Sequence, residues 1–488
     1  MKLSNRIPPC GLGDASSNDL KSNMDIDLTI MISLVEVVDR MRRGPKKTIK
    51  NWDIALFKKM QELEKEYKIE IPNDPSNWLN IDNSLADSAW QAAVRFVVDV
   101  GCLCIDSERV VRFSEEEVKE AIKAMQNEVI MGEGKDARIW HQHKIEGQEP
   151  LNIAPGHHAP FTEDLANIVV QNFAMIPRLD FLEGFNLPAI DGYELYGEPL
   201  EAYASKRQVA WLREGIRKAG RPGAAIVYYP ISTEASSFLA TIDPVAGLRP
   251  TDGVLLSVLP DVKVQYDLIT AALVLQSHGY FGISGSFGIV GGFAGGPGGA
   301  IIESLAKTII AWIVYRDNLY YNGVEHFNHI SGMKRAMFPV NFARSVVYQA
   351  TIRNCKGIPM HWPIPVSELC TESHLEELIL RSVEAAVNGA NLYTPRVSRS
   401  RMNGGQTPAD VELMIDASDA TMRAGIKRVD VYSMFKGVID KLTSSPTPEK
   451  GKLITECYDL QKHRPSTEYG SLITKVKAEF KDCGLIWD

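Results

Sequence analysis

Apolar and polar residues change rhythm along this chain, and the change divides it. From about residue 31 to residue 130, apolar positions recur every three to four residues, which predicts amphipathic helices. "NWDIALFKKMQELEKEYKI" (51–69) is apolar on one side and charged on the other. "SEEEVKEAIKAMQNEV" (114–129) opens with a capping box from Ser114 to Glu117 and sets Val118, Ala121, Ile122, Met125 and Val129 on one face. Just before it, "CLCIDSERVVRF" reads as a small hairpin turning at Asp106–Glu108.

From about residue 180, helical patterns alternate with short apolar runs that do not alternate internally. "QVAWLREGIRKAG" aligns Val209, Leu212, Ile216 and Ala219, then stops at Gly220 with Pro222 beyond it. "AAIVYY" (224–229) follows as a strand. "GVLLSVL" (253–259), "FGIV" (287–290), "AMFPV" (336–340), "GIPMHW" (357–362) and "NLYTP" (391–395) are further apolar segments. The helix after "GVLLSVL" uses Val262, Tyr266, Ile269 and Leu273; the one after "FGIV" uses Ile302, Leu305, Ile309 and Trp312. Several spacings are close to 30 residues (224 to 254, 254 to 286, 358 to 391), the length of one β-α unit. Non-alternating runs suit strands covered on both faces. The pattern predicts an α/β (β/α)8 TIM barrel with an N-terminal helical extension, with a doubly wound sheet as the alternative. One domain over 31–488 would follow a polar, weakly patterned tail over 1–30.

Composition adds exclusions. Lys and Arg number 53 against 61 Asp and Glu, a net charge of −8, which disfavours nucleic acid as a partner. The basic cluster "RMRRGPKKTIKN" (41–52) has no interleaved aromatics and reads as a solvated linker. Seven cysteines form no disulfide framework or zinc spacing, and the N-terminus has no apolar signal region, so a cytoplasmic protein is expected. Residues 268–302 carry no Asp, Glu, Lys or Arg, but nine glycines between 282 and 299 make that stretch buried strand and turn rather than a membrane span.

Three groups of residues bear on chemistry. "GGFAGGPGG" (291–299) lacks the Lys-Ser/Thr of a phosphate loop and reads as a close backbone approach. Histidines cluster as His141 and His143 on one side of a strand, His157 and His158 in a turn, and His326 and His329 one helical turn apart beside Glu325. The first pair has the spacing to reach one metal, although Lys144 beside it opposes a cation. Tyr228 and Tyr229 close one strand, and His361 and Trp362 close another. At a barrel mouth such rings suit a cationic or methylated ligand; their alternative is packing in a barrel layer.

From Trp52 to the C-terminus the sequence also resembles the monomethylamine methyltransferase family of methylotrophic methanogens. The matching stretches are "NWDIALFKKMQELEKEY", "DVGCLCIDSERVVRFSEEEV", "GEGKDA", "AGRPG", "GGFAGG", "GVEH", "GKLITECYDL…PSTEYG" and "GLIW", in order. The resemblance implies a (β/α)8 barrel in a homo-oligomer, a hexamer in the characterised archaeal enzymes. It implies transfer of a methyl group from a methylated amine to the Co(I) of a cognate corrinoid protein that docks at the barrel mouth. No tightly bound cofactor is implied for the chain itself, because its partner carries the corrinoid.

That family carries pyrrolysine in the strand after "AGRPG", where its imine is taken to bind and orient the amine. Here the matching position is Val227 counted from Gly223, or Tyr228 counted back from Pro230. The family's acidic residue ahead of "GGFAGG" falls on Gly285, and its glutamine and tyrosine pair falls on Met360 and Trp362. His326 matches a family histidine. The resemblance thus implies a member without pyrrolysine, acting on a methylamine-like or quaternary donor, as pyrrolysine-free members of the trimethylamine branch do. Tyr228, Val227 and His326 are the expected catalytic positions, with Tyr229, Gly285, Met360, His361 and Trp362 lining the substrate. Two other readings stand beside it: a non-catalytic relative that binds a methylated ligand or the corrinoid protein, and a metal-dependent barrel hydrolase using His141 and His143.

Overall fold

The computed structural model describes residues 32–197 and 199–488; the expected N-terminal tail over 1–30 lies outside them. Eight parallel strands form the centre: β1 (Ile153–Ala154), β2 (Phe181–Glu183), β3 (Ala225–Tyr228), β4 (Gly253–Leu255), β5 (Phe281–Gly285), β6 (Leu319–Tyr321), β7 (Ile358–His361) and β8 (Asn391–Tyr393). From β2 onward each strand pairs with the next in sequence, and β8 pairs with β1 through Leu392 and Ile153. The remaining seam is closed by backbone bonds, Asp180 N–H to Ile153 O (3.1 Å) and Glu183 N–H to Pro155 O (2.9 Å). The result is the expected (β/α)8 barrel with N-terminal helices.

Side chains alternate strictly across the barrel wall. Phe181, Ala225, Val227, Leu255, Ile283, Leu319, Ile358 and Met360 fill the interior. Leu182, Ile226, Val254, Tyr320 and Leu392 face the surrounding helices. The N-terminal end is plugged by a hairpin, Glu128–Met131 with Arg138–His141, whose Trp140 ring lies 5.0 Å from that of Phe181. The "AGRPG" turn is tied to this plug: Glu133 N–H donates to Gly223 O (2.7 Å) and Gly223 N–H to Asp136 Oδ2 (3.0 Å). A Cβ at Gly223 would lie 2.4 Å from Glu133 O, so the approach requires glycine there.

The helix Pro297–Tyr315 is long and apolar enough to cross a membrane, yet it is wholly buried. The N-terminal extension explains this. Helices Ile49–Glu66 and Asn83–Asp99 pack on its outer side, and Val340–Asn354 flanks it. An all-round apolar helix is the consequence of being covered on every face.

Several element boundaries differ from the pattern-based expectation. The helix from Glu115 ends at Ala124, and Val129 belongs to the plug hairpin, packed into the barrel interior. "FGIV" is not a barrel strand: Gly288–Val290 pairs with Val324–His326 in a separate two-stranded sheet, and the barrel strand is Phe281–Gly285. "AMFPV" is not a strand either; Pro339, which has no N–H to give a ladder, precedes helix Val340–Asn354. The sixth strand comes instead from "LYY" (319–321). β1 and β2 carried no apolar run long enough to read.

Behind β6 and β7 lies a buried charge network. Arg344 bonds Glu325 (2.6 Å) and Glu384 (3.0 Å), and Arg381 approaches Glu325 (3.4 Å). It ties the segment after β6 to helices Val340–Asn354 and Glu372–Asn388. Its two arginines hold the Glu325 carboxyl below its ordinary range despite burial. Arg344→Met leaves two carboxylates with one buried partner, so it should destabilise the fold by about 3–5 kcal/mol, read from the denaturant midpoint.

Candidate active site at the barrel mouth

Alternation decides which strand-end residues reach the mouth. On β3, Val227 faces the barrel axis one step below Tyr229, which packs with the interior residues. Tyr228 faces the other way. Its hydroxyl lies 2.7 Å from Ser205 Oγ on helix Leu200–Lys218 and accepts the Ile231 N–H (3.1 Å), and its ring meets Phe238 edge-on. Tyr228 is therefore a wall-to-helix contact, not a residue at the mouth, and of the two expected positions only Val227 points inward. His361 is corrected for the same reason: it faces outward, with Nδ1 2.7 Å from Tyr348 OH. Met360 and Trp362, its neighbours, face in.

Gly285 ends β5 at the mouth and donates its N–H to Ser257 Oγ (3.0 Å). A Cβ there would lie 2.2 Å from the Tyr321 hydroxyl, so Tyr321 occupies the space a side chain would need. His326 does not join this group. It caps the short helix Phe327–Ile330, its Nδ1 accepting the Asn328 N–H (3.0 Å), on the separate two-stranded sheet. Glu325 and His329 are also accounted for, in the charge network and by Ile364 O at 2.6 Å from His329 Nε2.

What converges at the mouth is a set of rings around a buried acid–base pair. Tyr321 stacks on Tyr393 with centroids 5.1 Å apart, and Trp362 meets Tyr321 edge-on at 5.2 Å. His158, on the segment after β1, lies 4.7 Å from the Tyr229 ring, 5.6 Å from Trp362 and 5.5 Å from Tyr393. Glu183, the last residue of β2, places Oε2 2.5 Å from His158 Nε2. Arg396 lays its guanidinium 5.6 Å from the Trp362 centroid. With Gly285 at the end of β5 and Ser257 after β4, whose hydroxyl lies 3.2 Å from Tyr321 OH, every barrel strand contributes its end, or the residues just past it, to one cluster.

The electrostatics are those of a dry site. Burial raises the Glu183 carboxyl well above its ordinary range, and burial lowers the His158 imidazole well below its own. Both shifts favour a neutral pair sharing one proton. Glu183 Oε1, His158 Nδ1, Tyr393 OH and Trp362 Nε1 are buried without protein partners. The pair offers a proton and an acceptor side by side, beside ring faces that suit a cation.

Sequence reasoning placed Tyr229 and Trp362 here but missed Glu183, Tyr321, Tyr393 and Arg396. The turn "PGHHAP" had singled out His158 without a role. The usable signal was position: each missed residue ends a barrel strand or follows one closely. The pair weighed as a metal site, His141 and His143, stands on and just after the plug hairpin at the opposite end of the barrel. Its ligand atoms and that of Glu149 lie within 4.8 Å of one another, and neither candidate set of three metal ligands among the described residues includes a mouth residue. That position corrects the hydrolase reading, since barrel chemistry belongs at the C-terminal face.

Two measurements check the geometry. A folded Glu183 that binds its proton more tightly than the unfolded chain does contributes stability below the unfolded value of about 4.3 and loses it as pH rises toward the folded value. Glu183→Gln removes that loss, so its melting temperature relative to the parent protein should climb from about pH 4.5 to 7.5; a constant difference would mean Glu183 ionises normally in the fold. Tyr228→Phe should cost about 1–3 kcal/mol of stability, from two lost hydrogen bonds, with no change in ligand affinity at the mouth.

Comparison with known proteins gives the fold its relatives. The family model described as "Monomethylamine methyltransferase MtmB" matches residues 32–485. Monomethylamine methyltransferase MtmB1 of Methanosarcina barkeri is 23% identical over 460 residues, covering 92% of this chain and 97% of the relative. MtmB of Methanosarcina mazei is 22% identical over 455 residues, with the same coverage. The crystal structure of Methanosarcina barkeri MtmB superposes with a TM-score of 0.84 at 21% identity, covering 93% of this chain and 98% of the other. The hydroxylamine complex of MtmB superposes equally well. The match runs through the N-terminal helices, the whole barrel and the C-terminal helices, and this chain belongs to the monomethylamine methyltransferase family.

Proposed function

We propose that this protein transfers a methyl group from a methylated ammonium donor to the Co(I) of a corrinoid carried by a partner protein, and does so without pyrrolysine. The observation that carries the reading is the mouth: Tyr229, Tyr321, Trp362 and Tyr393 around a neutral Glu183–His158 pair, on this family's barrel. The chain holds only the twenty standard residue types, and the inward position matching the family's pyrrolysine is Val227, a side chain with no electrophile to form an amine adduct.

The partner's corrinoid supplies the nucleophile and receives the methyl group; this chain binds and orients the donor and keeps water out. When the N–CH3 bond breaks, its electron pair stays on nitrogen. A quaternary donor then departs as a neutral amine with no proton to manage. Ring faces stabilise its positive charge in place of water. A donor that reacts as a neutral amine needs a proton delivered to its nitrogen as that N–CH3 bond breaks, and the protonated Glu183 carboxyl beside His158 stands where one can be given. That carboxyl comes from β2 rather than from the Gly285 position, and its place beside the rings supports turnover over ligand binding alone.

The test is spectroscopic. The protein is incubated with a cognate Co(I) corrinoid protein and a panel of N-, S- and O-methyl donors, and corrinoid absorbance is followed. Methylation with a methylated amine is the expected outcome; methylation by none of the donors overturns the reading. Trp362→Leu should raise the KM for a cationic donor roughly 3- to 30-fold, the value of about 0.5–2 kcal/mol for a ring face against a cation.

A further inference from the structure

Half-buried at the barrel mouth, Arg396 meets no carboxylate among the described residues. Arg335, Arg344 and Arg381 are each nearly inaccessible, and each meets a carboxylate: Glu377 at 2.9 Å, Glu325 at 2.6 Å and Glu325 at 3.4 Å. Arg396 differs. Its Nε is buried with no hydrogen-bond partner, and its guanidinium rests over the Trp362 ring instead. The placement is built rather than loose. Arg396 follows β8 closely, and its own N–H donates to Pro363 O (2.9 Å), fixing it beside the segment that carries Trp362. Its charge acts on His158, Tyr229 and Tyr321, three of the mouth residues. Glu183, the carboxyl of the mouth, is held neutral by burial and does not balance it.

A guanidinium with its Nε buried and unpartnered keeps a donor that a ligand can complete. It is also a problem for the donor: a bare organic cation entering the mouth would meet a like charge and would have to compete with Arg396 for the face of Trp362. A donor with its own anion resolves both. Resting on the methylated-ammonium reading above, we propose that Arg396 binds a carboxylate of the donor, and that the substrate class is a zwitterion, a methylated ammonium joined to a carboxylate by a short alkyl link. The planar fork of arginine matches a carboxylate with two parallel hydrogen bonds. Pairing with it draws the guanidinium off Trp362 and frees that ring for the ammonium. A short link keeps both charges of the donor within reach of one ring and one guanidinium, which lie 5.6 Å apart before it binds.

The test is binding by calorimetry to the full-length protein, with two kinds of probe. Tetramethylammonium carries the cation alone; trimethylammonio-alkanoates with one, two or three methylenes between the charges carry both. The parent protein should bind at least one alkanoate more tightly than tetramethylammonium. Arg396→Gln should weaken that alkanoate roughly 10- to 100-fold, as loss of charge-assisted hydrogen bonds does, and leave tetramethylammonium unchanged or tighter. Arg396→Lys should fall between, keeping the charge without the fork. The tetramethylammonium arm and the melting temperature report whether the variants keep the mouth intact. Equal affinity of the parent for both probes, or an equal loss of both in Arg396→Gln, overturns the Arg396 assignment alone. Failure of every probe to bind the parent overturns the cation reading of the mouth as well.

Discussion

Closure of eight short strands into one ring is the constraint on which the rest depends. Each strand has only two to five residues, so its side chains are shared out between an interior and a helix layer with no position to spare. Closure is completed by main-chain bonds from Asp180 and Glu183, which makes Glu183 both a seam residue and a residue of the mouth. The plug hairpin closes the opposite end with Trp140 and ties down the turn that launches β3. Chemistry is left one place to be, at the C-terminal ends.

The protein treats buried charge in two ways. Behind β6 and β7, arginines and glutamates cancel one another, and the network joins two helices to the segment after the strand. Taking these ions from water is offset only by their mutual attraction, so the network is rigid and sensitive to loss of a member. At the mouth the charges are left incomplete. Glu183 and His158 settle as a neutral pair, and Arg396 leans on an indole. Unpartnered polar atoms that converge on ring faces at the strand ends suit a ligand there.

Much of the barrel was legible in advance because its signals are local. Strands at 225, 253, 358 and 391 begin in apolar runs set about one β-α unit apart, and the capping box at Ser114–Glu117 and the hairpin at 102–111 formed as read. The strands at 153, 181 and 319 were not legible, since two or three residues hold too little pattern to separate from a loop. "FGIV" and "AMFPV" misled because apolar residues also serve an outer sheet and a loop into a helix. At the site, aromatic strand ends pointed to the mouth, but a pair of adjacent tyrosines or a His-Trp pair gives no hint of which member faces in.

By itself the sequence determined the repeated strand-and-helix rhythm, the acidic net charge and the family to which the chain belongs, since these are sums over many positions or ordered motifs along the chain. Only the tertiary structure decided the phase of each strand. Because side chains alternate with a period of two, a shift of one residue exchanges Tyr229 for Tyr228 and Trp362 for His361, and that phase is set by closure of the ring. It also decided what stands together: His158, Glu183, Trp362 and Arg396 are far apart in sequence, and only the barrel brings their charges and ring faces to one place.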